Sequence, residues 1–130
     1  MKNQNLERII SEKFKASFMS DTKWEKLIDH TSEVFNKVFV NYKLIYSEEI
    51  YSTSFYSSDF KPFFIEPTTY KEVEWIEFPA QYKDYVNRNN RKAGEKTYQQ
   101  DIKLLAKEIA KLGQFETEIS NTGIKVYGYR

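Results

Sequence analysis

The apolar period of this chain changes three times, which restricts it to folds that combine helices with a sheet. Leu6, Ile9, Ile10 and Phe14 recur at helical spacing over residues 4–16, with polar residues between them. Ser17 to Ser20 breaks that pattern, and Ser20-Asp21-Thr22 offers three candidate caps for a second helix. Trp24, Leu27, Ile28, Val34, Phe35 and Val38 then trace one stripe of a 3.6-residue period. From residue 39 the period drops to two. Val40, Tyr42, Leu44 and Tyr46 alternate with Asn41 and Lys43, as a strand with one buried face requires. Ser47-Glu48-Glu49 reads as a turn into a second strand carrying Tyr51, Thr53 and Phe55, ended by Ser57-Ser58-Asp59. Pro62 to Pro67 reads as a short strand suited to an edge or a strand end, because its bracketing prolines cannot donate to a ladder. Residues 72–78 form a fourth strand, stopped by Pro79.

Residues 80–96 read as one long basic loop, with Lys83, Arg88, Arg91, Lys92 and Lys96 against Asp84 and Glu95. Thr97 and Gln100 then make a capping-box pattern. Tyr98, Ile102, Leu105, Ile109 and Leu112 share a helical face, and Gly113 stands where a helix-terminating glycine belongs. The chain closes with a hairpin around Asn121-Thr122-Gly123. Its favoured register sets Ile119 opposite Ile124, Thr117 opposite Val126 and Glu118 opposite Lys125, with an ion pair at the last. The expected order is α-α-β-β-β-β-α-β-β. That is a single α+β domain over residues 1–130, with about three helices on a largely antiparallel sheet of about five or six strands.

Reactive groups are scarce. There is one histidine (His30), no cysteine and four glycines, yet 10 Phe, 10 Tyr and 2 Trp. One histidine without cysteine cannot build the usual zinc sites, and His30 lies off the apolar stripe, as a solvated helix residue would. No serine sits in a Gly-x-Ser-x-Gly elbow, and four scattered glycines make no phosphate loop. The chain therefore reads as a binding protein, not an enzyme, with no cofactor and no metal. With 20 basic and 19 acidic residues it lacks the basic excess of most nucleic-acid binders. No apolar run approaches a membrane span and the first residues lack a signal-peptide core, so a cytoplasmic protein is expected. No feature specifies an oligomeric state.

Candidate contact residues come from charge and aromatic patterning. If Val73 and Trp75 face the core, Glu72 and Glu74 stand on the open side, and Glu116 and Glu118 are similarly placed on a later strand. Such a surface suits a basic partner, since complementary charge speeds association and fixes register. Tyr46, Tyr51 and Tyr56 are candidate anchors in the aromatic stretch 39–64. The alternative reading is a small nucleic-acid-binding module built from the basic 83–96 loop and the aromatic strands.

Three short pieces carry a family likeness: Lys23-Trp24-Glu25-Lys26-Leu27, Tyr70 to Glu77, and Ile124-Lys125-Val126-Tyr127-Gly128-Tyr129. Together they resemble an uncharacterised family of small bacterial cytoplasmic proteins, with a Lys-Trp helix start, a Glu-Trp strand and a closing Gly-Tyr. Proteins of this build occur as immunity partners of polymorphic or contact-dependent growth-inhibition toxins. The resemblance implies an immunity protein that binds a cognate toxin domain and occludes its active site or substrate surface. It implies no catalytic residue.

Overall fold

The computed structural model describes residues 3–56, 68–87 and 89–130. Helix α1 (Asn3–Lys13) and helix α2 (Asp21–Phe35) follow the first two apolar stripes. Of the three candidate caps it is Ser20 that starts α2, its side chain accepting from the Lys23 N–H. The helix ends earlier than its stripe suggests. Asn36 takes a positive φ of 64°, a conformation that asparagine tolerates, and turns the chain into strand β1 (Lys37–Leu44). Val38 is thus the first inward residue of a strand, and Val34 is exposed on the helix.

Strands β1, β2 (Ile50–Tyr56), β3 (Val73–Pro79), β6 (Thr117–Ser120) and β7 (Gly123–Tyr127) form one sheet in the order β2-β1-β3-β7-β6. Every neighbouring pair in it is antiparallel. The register of β6 on β7 is the one the side-chain pattern favours, Thr117 to Val126, Glu118 to Lys125 and Ile119 to Ile124. Helix α2 and helix α3 (Ile102–Leu112) pack on one face. Trp24, Leu27 and Ile28 of α2 and Leu105 and Ile109 of α3 meet Val38, Val40, Phe55, Ile76, Phe78, Ile124 and Val126 of the sheet. Each such aliphatic side chain contributes roughly 1.5–3 kcal/mol gross when fully buried. Helix α1 joins a separate small cluster of Leu6, Ile45 and Tyr129 at the end of the sheet.

Two expectations change. The fourth-strand pattern holds as β3, but the pairing shifts between Lys43 and Leu44: Lys43 faces Trp75 and Leu44 faces Val73, so Glu74 has no opposite residue. This bulge puts Val73 and Ile76, three residues apart, in the same core. Trp75 therefore leaves the core face, in contrast to the alternation that put it with Val73. It is buried on the other face beneath Lys125.

The expected long loop over 80–96 is instead mostly a hairpin of β4 (Gln81–Tyr85) and β5 (Glu95–Gln99), with a short 3-10 turn at Arg91–Ala93 between them. Asn, Gly and basic residues of the turn dominate that stretch and hide two five-residue strands whose alternation is weak. Thr97 and Tyr98 belong to β5, and the cap of α3 is Asp101, which accepts from the Leu104 N–H at 3.0 Å. Gln100 has another task. Its amide donates to the carbonyls of Phe39 and Pro79 and accepts from the Phe39 N–H at 2.9 Å. Pro79 has no N–H to offer β1, so the Gln100 side chain continues the ladder there. The strand expected at Pro62–Pro67 lies outside the described residues. Among those described, three α-helices and seven strands make an α+β fold, and no helix is long and apolar enough to cross a membrane.

The bulge also seats the C-terminus. The Glu74 carbonyl accepts from the N–H groups of both Gly128 and Tyr129, at 2.7 and 3.2 Å. A Cβ on Gly128 would lie 2.7 Å from the Val73 carbonyl oxygen and 3.1 Å from Trp24 Cζ2. Gly128→Ala is therefore expected to cost about 1–3 kcal/mol, the usual range for an overpacked interior. A urea midpoint unchanged from that of the parent chain would show that this approach has slack.

Candidate interaction surface

The face of the sheet opposite the helices carries a polar row in register. Ser52, Asn41, Glu77, Lys125 and Glu118 come one from each strand, side by side across the sheet. Ser52 donates to Asn41 at 2.7 Å, and Asn41 donates to Glu77 at 3.3 Å. The cross-strand ion pair expected between Glu118 and Lys125 does not form. Lys125 instead lies 4.2 Å from the centre of the Trp75 ring, and Glu118 pairs with Arg130. Arg130 also reaches Glu116 at 3.2 Å and covers the Tyr127 ring.

The four candidate glutamates therefore do not form one free acidic surface. Glu72 ends a 3-10 turn (Tyr70–Glu72) and is only 8% exposed. Its carboxylate accepts from the Thr69 N–H, the Thr69 hydroxyl and the Tyr46 hydroxyl, at 2.7, 2.9 and 2.9 Å. The bulge and the turn decide this, since an unbroken alternation would have placed Glu72 outward with Glu74. Glu74 is held at 2.8 Å by Lys43, both side chains mostly covered. Glu116 and Glu118 remain half-exposed but share Arg130.

The tyrosines fare differently. Tyr46 and Tyr51 are exposed where β1 turns into β2, and Ile50, 62% exposed, points to the opposite face of β2 from Tyr51. Tyr46 is pinned by its bond to Glu72, and Tyr51 stacks on Tyr42 with centroids 5.5 Å apart. Burial and the bond to Glu72 push the Tyr46 hydroxyl up to about 12. Ile50 is missing from the pattern-derived candidates, although its signal is present: it is apolar and out of phase with Tyr51, Thr53 and Phe55. Tyr56 is half-buried and belongs to a different group.

That group fastens the β4–β5 hairpin to the sheet. Phe39 stacks flat on Tyr82 at 4.1 Å, and Tyr82 stacks on Tyr98. The Lys37 ammonium sits 5.7, 5.8 and 5.7 Å from the rings of Tyr56, Tyr82 and Tyr98, and 3.4 Å from Asp84. Beyond this base the hairpin exposes Lys83, Arg91, Lys92 and Lys96, with Arg91 over Tyr85 and Lys96 over Tyr98. On the helix face, His30 is not merely solvated: its Nε2 lies 3.2 Å from Glu108 and joins α2 to α3. His30 and Lys111 hold the Glu108 carboxyl below its ordinary range. Among the described residues no three His, Asp or Glu side chains converge to hold a cation.

Residues 6–130 match the model of a family described as a family of unknown function, DUF6678, and the chain belongs to that family. No curated protein and no solved structure matches it.

Burial pushes the Glu72 carboxyl up, but the bonds from Thr69 and Tyr46 outweigh it, and the net shift is downward from 4.5. A carboxyl lowered on folding stabilises the folded chain above its unfolded pKa and loses that contribution as pH falls through the folded value. The melting temperature should thus drop as pH falls from 4.5, and Glu72→Gln should flatten that limb while lowering stability at neutral pH. Parallel pH profiles for the two proteins would assign the acid limb to other groups. Lys37→Met should loosen the hairpin alone. Amide exchange over Gln81–Gln99 is expected to accelerate roughly five- to thirtyfold, for a loss of about 1–2 kcal/mol of cation–π and charge contacts. Uniform acceleration across the sheet would refute such local action.

Proposed function

We propose that this DUF6678 member is an immunity protein, a non-catalytic domain that binds a toxin domain and occludes its active or substrate-binding surface. The observation that carries the contact surface is the exposed corner of Tyr46, Ile50 and Tyr51. Ile50 and Tyr51 flank the edge strand β2 on its two faces, and exposed apolar side chains at a strand edge favour association. Two of the three are held by their own neighbours, so binding them loses little rotamer freedom. Aromatic anchors of this kind dominate interface energetics.

The internal pairing of the glutamates changes the expected mode of contact. Glu72 and Glu74 serve the fold, and Glu116 and Glu118 form a half-neutralised rim around Arg130. Rim charges of that type alter association rate more than affinity. The toxin contact therefore centres on the aromatic corner. Nucleic-acid binding through the 83–96 segment ranks second: its cations project from a hairpin, but Arg91 and Lys96 already cover one face each of Tyr85 and Tyr98.

The test begins with the gene immediately upstream, expected to encode a large secreted protein with a variable C-terminal domain. Co-expression with that domain should rescue growth, and the two purified proteins should form a complex. Ile50→Asp combined with Tyr51→Ala is expected to weaken the complex by about 30-fold or more, at unchanged melting temperature. Glu116→Gln with Glu118→Gln should change affinity by only about threefold. Failure of the parent chain to protect would sink the immunity reading. Full protection by the double variant at Ile50 and Tyr51 would move the contact elsewhere. Binding to DNA or RNA that falls steeply with salt would favour the second reading.

A further inference from the structure

At the far edge of the sheet from that corner, strand β6 pairs with β7 on one side and, among the described residues, with no strand on the other. Its register makes Glu118 and Ser120 the residues that exchange backbone bonds with Lys125 and Gly123, in phase with the Tyr127 N–H donating to the Glu116 carbonyl. The N–H and C=O groups of Thr117 and Ile119 therefore point outward from the sheet. The side chains of the same two residues face the helix side, where they border a groove of about 540 Å³. Ala106, Ile109 and Ala110 of α3 form its opposite wall. Ile119 is 61% exposed at its lip, an unusual apolar residue for an edge strand, which normally carries protective charge.

Part of the groove's lining is positively charged. The connection Gly113 to Phe115 crosses there, together with Phe18. The Lys23 ammonium is fixed in this corner, donating to the carbonyls of Gln114 and Phe18 at 2.9 and 3.2 Å and lying 5.0 Å from the Phe115 ring. Both hydrogen-bond partners are neutral, and among the described residues no carboxylate lies within ion-pair distance of Lys23. An ammonium carries three donors, so one remains for an anion. Glu116, which also lines the groove, is engaged by Arg130.

We propose that this edge binds the extended C-terminal segment of a partner polypeptide. The segment adds to β6 as an antiparallel strand, bonded to the backbone of Thr117 and Ile119. Antiparallel addition runs it from Ser120 toward Glu116, so its end arrives beside Gly113 to Phe115 and Lys23. There its last apolar side chain enters the groove and its terminal carboxylate meets Lys23. A free carboxylate matches the unneutralised cation, whose hydrogen-bond partners are both neutral carbonyls. This surface is separate from the Tyr46–Ile50–Tyr51 corner and does not rest on the immunity reading.

A display library of random heptapeptides with free C-termini, selected on the intact chain, tests the proposal. The expected outcome is enrichment of β-branched sequences ending in an apolar residue. The best peptide, made as free acid and as amide, should bind at least tenfold tighter as the acid, with amide shifts at Thr117 and Ile119. Lys23→Met should remove the acid–amide difference. Ala110→Trp, which fills the groove and leaves Lys23 in place, should abolish binding of both forms while the melting temperature holds. The proposal is overturned by no enrichment over a blank surface, or by equal binding of acid and amide. It is also overturned if sedimentation shows a dimer that Ile119→Asp dissociates, since a second copy would then own the edge.

Discussion

One extra residue in β3 organises much of this molecule. Between Lys43 and Leu44 the pairing of β1 with β3 advances by one position, and Glu74 is left without an opposite. Val73 and Ile76 can then both point at the helices, although they are three residues apart, while Trp75 turns to the other face under Lys125. The same residue offers the carbonyl on which Gly128 and Tyr129 are seated. Tyr129 in turn bonds the Lys71 carbonyl and packs with Leu6 and Ile45, which docks α1. An unbroken ladder would keep the strands paired but would reverse one side of the bulge relative to the other.

Charge is used mainly inside the fold. Lys43 with Glu74, Lys37 with Asp84, and Arg130 with Glu116 and Glu118 each pair across separate elements. Two of these cations, Lys37 and Arg130, also lie over aromatic rings. Lys125, without a carboxylate partner among the described residues, lies over Trp75. The contact chemistry left at the surface is apolar at the β1–β2 corner. It is cationic in the groove beside β6.

Much of the framework was legible before any coordinates. The stripes of α1, α2 and α3, the strands at 40–46 (ending at Leu44 in the fold) and 51–55, and the register of the closing hairpin follow from period and pairing rules, which act over a few residues. The β4–β5 hairpin was not legible, because its strands alternate weakly and its stability comes from Phe39 and Lys37, more than forty positions away in the chain for each Tyr82 contact. Nor was the role of Gln100, whose amide substitutes for a proline N–H on another strand. Of the candidate glutamates, Glu74 and Glu118 lie in strands while Glu72 ends a 3-10 turn and Glu116 precedes β6, and one bulge separates an inward Glu72 from an ion-paired Glu74.

By itself the sequence determined the three helices and most strands of the main sheet, the α+β class, and the shortage of groups for nucleophilic or metal chemistry. Those properties depend on residue identity and local spacing. Only the tertiary structure decided which charges are spent, which tyrosines stay exposed where β1 turns into β2, and where a cation lies beside a strand edge. These depend on strand order and on one register shift, and neither leaves a periodic trace in the chain.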